Sequence, residues 1–542
     1  MLRAFAEMDS REIVDLIQRP GALPDGAALE RHLVTHVSVL GFTADRVFKL
    51  KRPVDLGFID ARTLERRRHF SEEELRLNSR LSPELYSGLV ALVRDADQAR
   101  VVPEAELAPE AEVLTWGVEM KRLPEGSTLA DRLERGEVDN ALIDALARRI
   151  ADFHASAERG PEVDACAGFD SVERNALDNL RATAGWTGDV DADPRAVCVS
   201  ELHAGLERWT QAELERLRPV LEERIGRGRA VDGHGDLHAG NVSIQGEALT
   251  IYDCVEFEPR FRRADVACDL AFLCMDLDLE GYHAFSTHLA RRYAELSGDA
   301  DLLDLLPFFK AYRALVRAKV DGFVAADEGR SDAEQAAAVE RSRTHFALAA
   351  SYALPPALIL TCGLPATGKS WLGRRTARLL GGSLHRSDVR RKQIASAEAA
   401  SKPRGGFDEG LYTPENKQKT YDALLEDARH DLTTGRTALI DGSFLQAKWR
   451  APFAELATAL GAPLVLLHMQ ADVETVKRRI EERLRDPNEP SEADFNVYLA
   501  LAAKVEPPDE LPPVQHLEVL SGGSTAGAIQ RLLERVQAQL GH

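Results

Sequence analysis

Val231-Asp232-Gly233-His234-Gly235-Asp236-Leu237-His238-Ala239-Gly240-Asn241-Val242-Ser243-Ile244 is the stretch from which the rest of the chain is read. A hairpin follows it, and then Leu249-Thr250-Ile251-Tyr252-Asp253-Cys254-Val255-Glu256-Phe257. Asp236 and Asn241 are five residues apart, and Asp253 follows directly on an apolar run of Leu249, Ile251 and Tyr252. One recurring phosphoryl-transfer template uses a loop Asp for the acceptor hydroxyl, an Asn for Mg²⁺ and a second Asp at a strand end for Mg²⁺, at about this spacing. A nucleotide triphosphate carries so much negative charge that Mg²⁺ must neutralise it. Hard carboxylate or amide oxygens are the ligands that this ion accepts.

The spelling His234-Gly235-Asp236-Leu237-His238-x-x-Asn241, with Gly235 where protein kinases carry Arg, resembles the aminoglycoside phosphotransferase and choline kinase branch of the protein-kinase-like fold. The resemblance implies that Asp236 takes the base role and that Asn241 and Asp253 take the metal roles. It implies a small-molecule kinase-like domain that uses ATP.

At 542 residues the chain is too long for one core, and two or three domains are expected. With 44% hydrophobic and 29% charged residues, its composition is that of a soluble globular protein. No apolar run approaches membrane-spanning length, and Met1-Leu2-Arg3-Ala4-Phe5-Ala6-Glu7 lacks a signal-peptide layout. Cys166, Cys198, Cys254, Cys268, Cys274 and Cys362 show no paired metal spacing. They read as buried thiols of a reducing, cytoplasmic setting. The net charge of −20 disfavours a dedicated nucleic-acid binder and is permissive for a cationic acceptor.

Residues 1–34 read as helices broken at Pro20-Gly21 and Pro24, followed by strands over 35–42 and 46–51. A kinase small lobe needs a strand lysine for the α- and β-phosphates, and Lys49 and Lys51 share a strand face with Val47. The residue two before that lysine lines the adenine pocket. Val47 suits that wall and Lys49 would not, so Lys49 is the choice. In the helix expected from Ser71 to about Leu81, Phe70, Leu77 and Leu81 form a stripe whose missing member is Glu74, the natural partner for Lys49. Residues 111–123 read as a strand leaving the small lobe. Glu119–Arg122 is the expected hinge, where the backbone of Glu119 and Met120 would meet the adenine. Asp269, in the helix expected over 266–277, reads as structural support for the catalytic loop.

Leu354-Pro355-Pro356 reads as a linker, because proline disfavours helix continuation. A buried strand over 357–362 then runs into Gly363-Leu364-Pro365-Ala366-Thr367-Gly368-Lys369-Ser370 and a helix over 371–380, the Walker A pattern in its strand-before, helix-after context. Backbone N–H groups of this loop wrap phosphates at a helix N-terminus, Lys369 reaches the β- and γ-phosphates, and Ser370 ligates Mg²⁺. Asp388, with Arg391 three residues on, follows a strand over 383–386. This pair looks similar to the acceptor site of P-loop kinases of the gluconate kinase, polynucleotide kinase and zeta-toxin kind. A strand over 437–440 leads to Asp441, where a Walker-B-like carboxylate is expected. The helix expected over 472–484 turns Val473, Val476, Ile480 and Leu484 inward and displays Arg479 and Arg483 at i,i+4. That resembles the arginine lid of the same kinases.

In this order of parts the chain resembles bacterial bifunctional aminoglycoside phosphotransferase/ATP-binding fusions. The expected fold class is an α+β bilobal protein-kinase-like domain followed by an α/β P-loop domain with a parallel sheet. The first spans 1–353, with a small lobe over about 1–118 and a large lobe over about 124–353; the second spans 357–542. The implied function is ATP- and Mg²⁺-dependent phosphotransfer by two modules, each to a hydroxyl of a small molecule. The alternatives are a polynucleotide or nucleotide-sugar kinase in the P-loop domain, or a nucleotide-sensing regulator with one non-catalytic module.

Overall fold

The computed structural model describes residues 10–55, 59–95, 98–398, 413–483 and 495–541. Six antiparallel strands build the small lobe: β1 (Arg31–Val34), β2 (Ser38–Phe42), β3 (Arg46–Lys51), β4 (Tyr86–Asp95), β5 (Gln98–Pro103) and β6 (Glu112–Lys121). They lie in the order β1-β2-β3-β6-β4-β5. Alternation along β3 sets the two faces of this sheet. Phe48 and Leu50 are fully buried against Ile13 and Ile17 of the Ser10–Ile17 helix. Val47 packs on the opposite face with Met120, Val118 and Tyr86, and the two lysines share that face.

Residues 31–34 form a strand, not part of a helix. All four are exposed, so no amphipathic alternation marks them. Pairing of Arg31 with Phe42, and the Arg31 guanidinium 4.1 Å over the Phe42 ring, hold this edge. The helix carrying Glu74 runs from Leu64 to Asn78, starting before the expected Ser71 because Thr63 caps it by accepting from the Arg66 N–H. The β4–β5 hairpin carries no motif and is a feature that only the structure supplies.

The helical lobe brackets the decisive stretch with two small ladders. Ala230–Asp232 pairs with Arg263–Asp265 ahead of the loop, and Val242–Gln245 pairs with Ala248–Ile251 behind it. The helix expected over 266–277 runs over Val266–Leu279, and a second helix of this lobe runs over Asn140–Ser156.

The chain forms two compact units. One comprises residues 1–172, 218–276 and 284–306; the other comprises 173–217, 277–283 and 307–542. The second unit centres on a five-stranded, wholly parallel sheet in the order Ser383–Arg386, Ala438–Asp441, Leu358–Cys362, Leu464–Gln470, His516–Leu520. Leu358, Leu360, Ile440, Leu464 and Leu466 form its core with Phe444 and Phe453. The long helix Asp332–Ala353, which precedes the proline linker, belongs to this unit. Its Glu340 accepts from Ser524 Oγ at 2.6 Å and from the Ala526 N–H at 2.9 Å, so it caps the last helix, Thr525–Ala538. Fully buried Gln530 of that last helix donates to Val197 O (3.0 Å) and Arg343 O (2.8 Å) and accepts from the Val199 N–H (3.0 Å). A buried side-chain amide satisfied this completely fixes which helices pack together.

Candidate active sites

Lys49 and Glu74 meet as the stripe on the helix implied: Lys49 Nζ lies 2.7 Å from Glu74 Oε1 and 2.6 Å from Asp253 Oδ1. Lys51, one strand pleat further, is also drawn in. Its Nζ is 2.6 Å from Glu74 Oε2 and pairs with Glu256 Oε1. Burial alone would lower the Lys49 pKa, but the carboxylates of Asp253, Glu74 and Glu256 outweigh it and raise it well above its usual value. Burial works equally against the Glu74 carboxylate, and the two lysines overcome it, holding Glu74 at about 2. Glu256 goes the other way, pushed up by burial and by the Glu74 charge despite Lys51.

Asp253 has φ +68°, a left-handed conformation that costs a non-glycine residue energy and persists only where neighbours enforce it. The helix Leu64–Asn78 and the turn after it supply that enforcement. Asn78 Oδ1 accepts from the Cys254 N–H at 2.9 Å, and Ser82 Oγ donates to Ile251 O at 2.7 Å. The element that holds Glu74 therefore also holds Asp253.

Asp269 braces the loop. Its Oδ2 accepts from the His234 N–H at 2.8 Å and its Oδ1 from the Gly235 N–H at 2.9 Å. His154 joins Asp269 Oδ2 at 3.1 Å and reaches the Tyr293 hydroxyl at 2.8 Å with its other nitrogen. Gly235 sits at φ +85°, and a Cβ there would fall 3.0 Å from Arg262 Cβ and 3.1 Å from Phe261 O, so the backbone position requires glycine. Asp236 comes out of this braced segment partly exposed. Asn241 Nδ2 donates to Asp236 O at 3.0 Å, and Asn241 O accepts from the N–H of Tyr252, the residue before Asp253, at 3.1 Å; a hard side-chain oxygen such as Asn241 Oδ1 is of the kind that Mg²⁺ accepts. The loop base is anchored by Asp232, fully buried, to which Arg262 and Arg263 donate at 2.8 and 3.0 Å.

Glu119 and Met120 lie inside β6, paired on one side with Phe48 and Val47 and on the other with Gly88 and Tyr86. The next two donors are taken as well, Lys121 N–H by Leu85 O and Arg122 N–H by Asp45 O. Met120 contributes its side chain to the apolar wall with Val47, while Glu119 Oε1 lies 3.5 Å from Arg46 Nη1. The strand thus runs through most of the segment expected as a hinge and ends at Lys121.

In the parallel sheet, the Gly363–Ser370 loop joins the Leu358–Cys362 strand to the Lys369–Leu380 helix. Gly363, at φ +137°, approaches Met469 O so closely that a Cβ would lie 2.5 Å from it. Ala366, a non-glycine residue, adopts φ +64°. Lys369 Nζ folds back onto Leu364 O at 2.5 Å. Asp441 ends the neighbouring strand, accepts from Thr361 Oγ1 at 2.9 Å and has Arg386 Nε at 3.5 Å. Asp388 stands in the first turn of the Ser387–Glu398 helix, 3.2 Å from Arg391 Nη1. Arg479 is turned onto the loop, with Nη1 3.2 Å from Ala366 O and 2.7 Å from Ser521 Oγ. Arg483 is the last residue of the Val473–Arg483 helix; its side chain and Leu484 lie outside the described residues. Val476 and Ile480 are buried as expected, but Val473, in the first turn, is 47% exposed because the apolar cluster begins one turn later, against Leu364 and Tyr498.

Two family models match the chain: the phosphotransferase enzyme family over residues 62–308 and an AAA domain over residues 358–508. Along the whole length, the uncharacterized proteins Rv2004c of Mycobacterium tuberculosis (strain ATCC 25618 / H37Rv) and Mb2027c of Mycobacterium bovis are each 30% identical over 472 residues. These cover 87% of this chain and 89% of theirs. The chain belongs to their family. It is a fusion of an aminoglycoside-phosphotransferase-like, protein-kinase-like domain with an α/β P-loop kinase-like domain. Among solved structures, a gluconokinase from Sinorhizobium meliloti 1021 is 17% identical, covering 34% of this chain and 93% of its own, with a TM-score of 0.25. Among the described residues of this fusion, no helix is long and apolar enough to cross a membrane.

Three elements of the fusion's first site escape the motif reading: Lys51, Glu256 and the Asn78 brace. The alternation Val47, Lys49, Lys51 places both lysines on one face, and that was the available signal; that Glu74 would serve both was not. In the second site, Thr361 and Ser521 were missed. Each is a small hydroxyl whose role depends on the strand beside it.

Proposed function

We propose that both modules are ATP- and Mg²⁺-dependent phosphotransferases, each acting on a hydroxyl group of a small molecule. The observation that carries this is the convergence of Lys49, Glu74 and Asp253 from three distant parts of the chain beside the Asp236–Asn241 loop. The second module supplies the equivalent set in Lys369, Ser370, Asp388 and Asp441. In the first module, Lys49 binds the α- and β-phosphates and Glu74 fixes its position. Asp236 takes the proton of the acceptor hydroxyl as the acceptor oxygen bonds to the γ-phosphorus and the bond to the bridging oxygen of ADP breaks. In the second, Lys369 and the loop N–H groups hold the phosphates, Asp388 takes the acceptor proton, and Arg391 and Arg479 balance charge around the transferring group. When bound through Asn241 and Asp253, or through Ser370 and Asp441, Mg²⁺ neutralises phosphate charge. The adenine of the first module lies against Val47 and Met120, with the backbone beyond Lys121 as its polar edge. The net charge of −20 favours small acceptors over nucleic acid.

The test is a metabolite-pool phosphorylation screen with mass detection, run on the wild-type chain, on Asp236→Asn and on Asp388→Asn. Two product sets, each lost in only one variant, support the reading. Wild-type product sets in both variants sink it.

A further inference from the structure

His468, His516 and Glu518 serve neither phosphoryl-transfer site, yet the parallel pairing of two strands brings them together. His468 pairs with Glu518 and Leu466 with His516, so all three side chains leave the same face of the sheet. His468 Nδ1 lies 3.3 Å from His516 Nε2 and 3.9 Å from Glu518 Oε1, and the three ligand atoms all fall within 4.8 Å of one another. We propose that His468, His516 and Glu518 form a binding site for a divalent transition-metal ion of the Zn²⁺ class, separate from the Mg²⁺ used with ATP.

Two nitrogens each about 2.0–2.1 Å from a tetrahedral Zn²⁺ stand about 3.3–3.4 Å apart, which is the spacing found here. The rings stack, with centroids 5.4 Å apart and planes 27° from parallel, and so present adjacent nitrogens. Glu518, with its side chain 60% exposed, is free to turn its carboxylate inward. Burial holds both imidazoles below the usual histidine range, with Arg450 lowering and Glu518 raising each of them. Arg450 itself is held by Glu510, with Nη2 2.9 Å from Oε2, so its charge is already matched. A cavity of about 590 Å³ is lined in part by His516 and Glu518.

Two imidazoles and one carboxylate select Zn²⁺, Co²⁺ or Ni²⁺ over Mg²⁺. An ion there would clamp the sheet's edge strand, His516–Leu520, to its neighbour. That strand leads straight into Ser521, the partner of Arg479 at the phosphate loop.

Co²⁺ titration of the chelator-treated full chain, without nucleotide, tests this. The expected result is one Co²⁺ per chain with visible bands of nitrogen and oxygen ligation and no thiolate charge-transfer band, unmoved by millimolar Mg²⁺. His468→Asn and His516→Asn should each weaken Co²⁺ binding by about tenfold or more, since each removes a direct ligand, while ATP binding at Lys369 persists. Should either variant fail to fold, Glu518→Gln decides, because an exposed residue can be changed without disturbing the core; it too must weaken Co²⁺ binding. Absence of Co²⁺ uptake, or equal uptake by wild type and Glu518→Gln, would show the histidine pair to be a plain hydrogen bond and overturn the proposal.

Discussion

Lys51 and Glu256 bind each other at the heart of the first site although 205 residues separate them, and their side chains are 0% and 5% exposed. Removing one member of a buried ion pair strands the other. Lys51→Met is therefore expected to lower stability by about 3–5 kcal/mol, while Lys51→Met combined with Glu256→Leu recovers most of that loss. Denaturant unfolding of the full chain reads this as an early first transition in the single variant only. Equal losses in the single and double variants would mean that the pair contributes nothing jointly.

Asp236 and Asp253 should separate cleanly in kinetics. Asp236→Asn keeps Mg-ATP affinity and lowers phosphate transfer by on the order of 10²–10⁴-fold, the worth of a positioned base. Asp253→Ala instead weakens Mg-ATP binding in the first module. Initial rates over a range of ATP concentrations distinguish a fall in kcat from a rise in KM.

Glu74 and Glu256 share Lys51 but should contribute opposite pH slopes. Glu74 falls from 4.5 to about 2, so its stabilisation is complete above pH 4.5 and is lost as the pH drops toward 2. Glu256 is raised above 4.5, so its contribution is largest below that value and fades as the pH rises through its folded-state pKa. A Tm-against-pH profile of Glu74→Gln should lose the acid-side fall, and that of Glu256→Gln should not.

Asp388 lies next to Arg391 in the first turn of a helix. Asp388→Asn should abolish transfer by the second module and leave ATP affinity within a few-fold. Loss of ATP binding in this variant would reassign Asp388 to the metal.

Two nucleotides should bind per chain. Calorimetric titration with a non-hydrolysable ATP analogue is expected to give two sites, one removed by Lys369→Ala and the other by Asp253→Ala. A single site abolished by Lys369→Ala alone would make the N-terminal half a recognition module.

The sequence made legible those parts whose geometry is local. Asp236, Asn241 and Asp253 are held at their spacing by a loop and one hairpin, and Gly363–Ser370 by a single strand-to-helix turn, so motif and structure coincide. Glu74 was legible because helical periodicity points it inward. What stayed hidden depends on remote partners. The strand Arg31–Val34 is wholly exposed, and only Phe42 reveals it. That the Lys121 and Arg122 N–H groups donate to Leu85 O and Asp45 O is visible only once those remote segments are in place. Lys51 looked redundant until Glu256 arrived from the far side of the catalytic loop.

Gln530 also bears on how this protein can be taken apart. A gene fragment starting after Leu354-Pro355-Pro356 would encode the whole parallel sheet but none of Val197, Val199 and Arg343, whose backbones this amide serves. It would also lack Glu340 and leave the outer side of the last helix bare to water. Because the second unit is assembled from three separate chain segments, no single cut yields both halves intact. Recombination that exchanged one half for a foreign one would have to carry those helices with it.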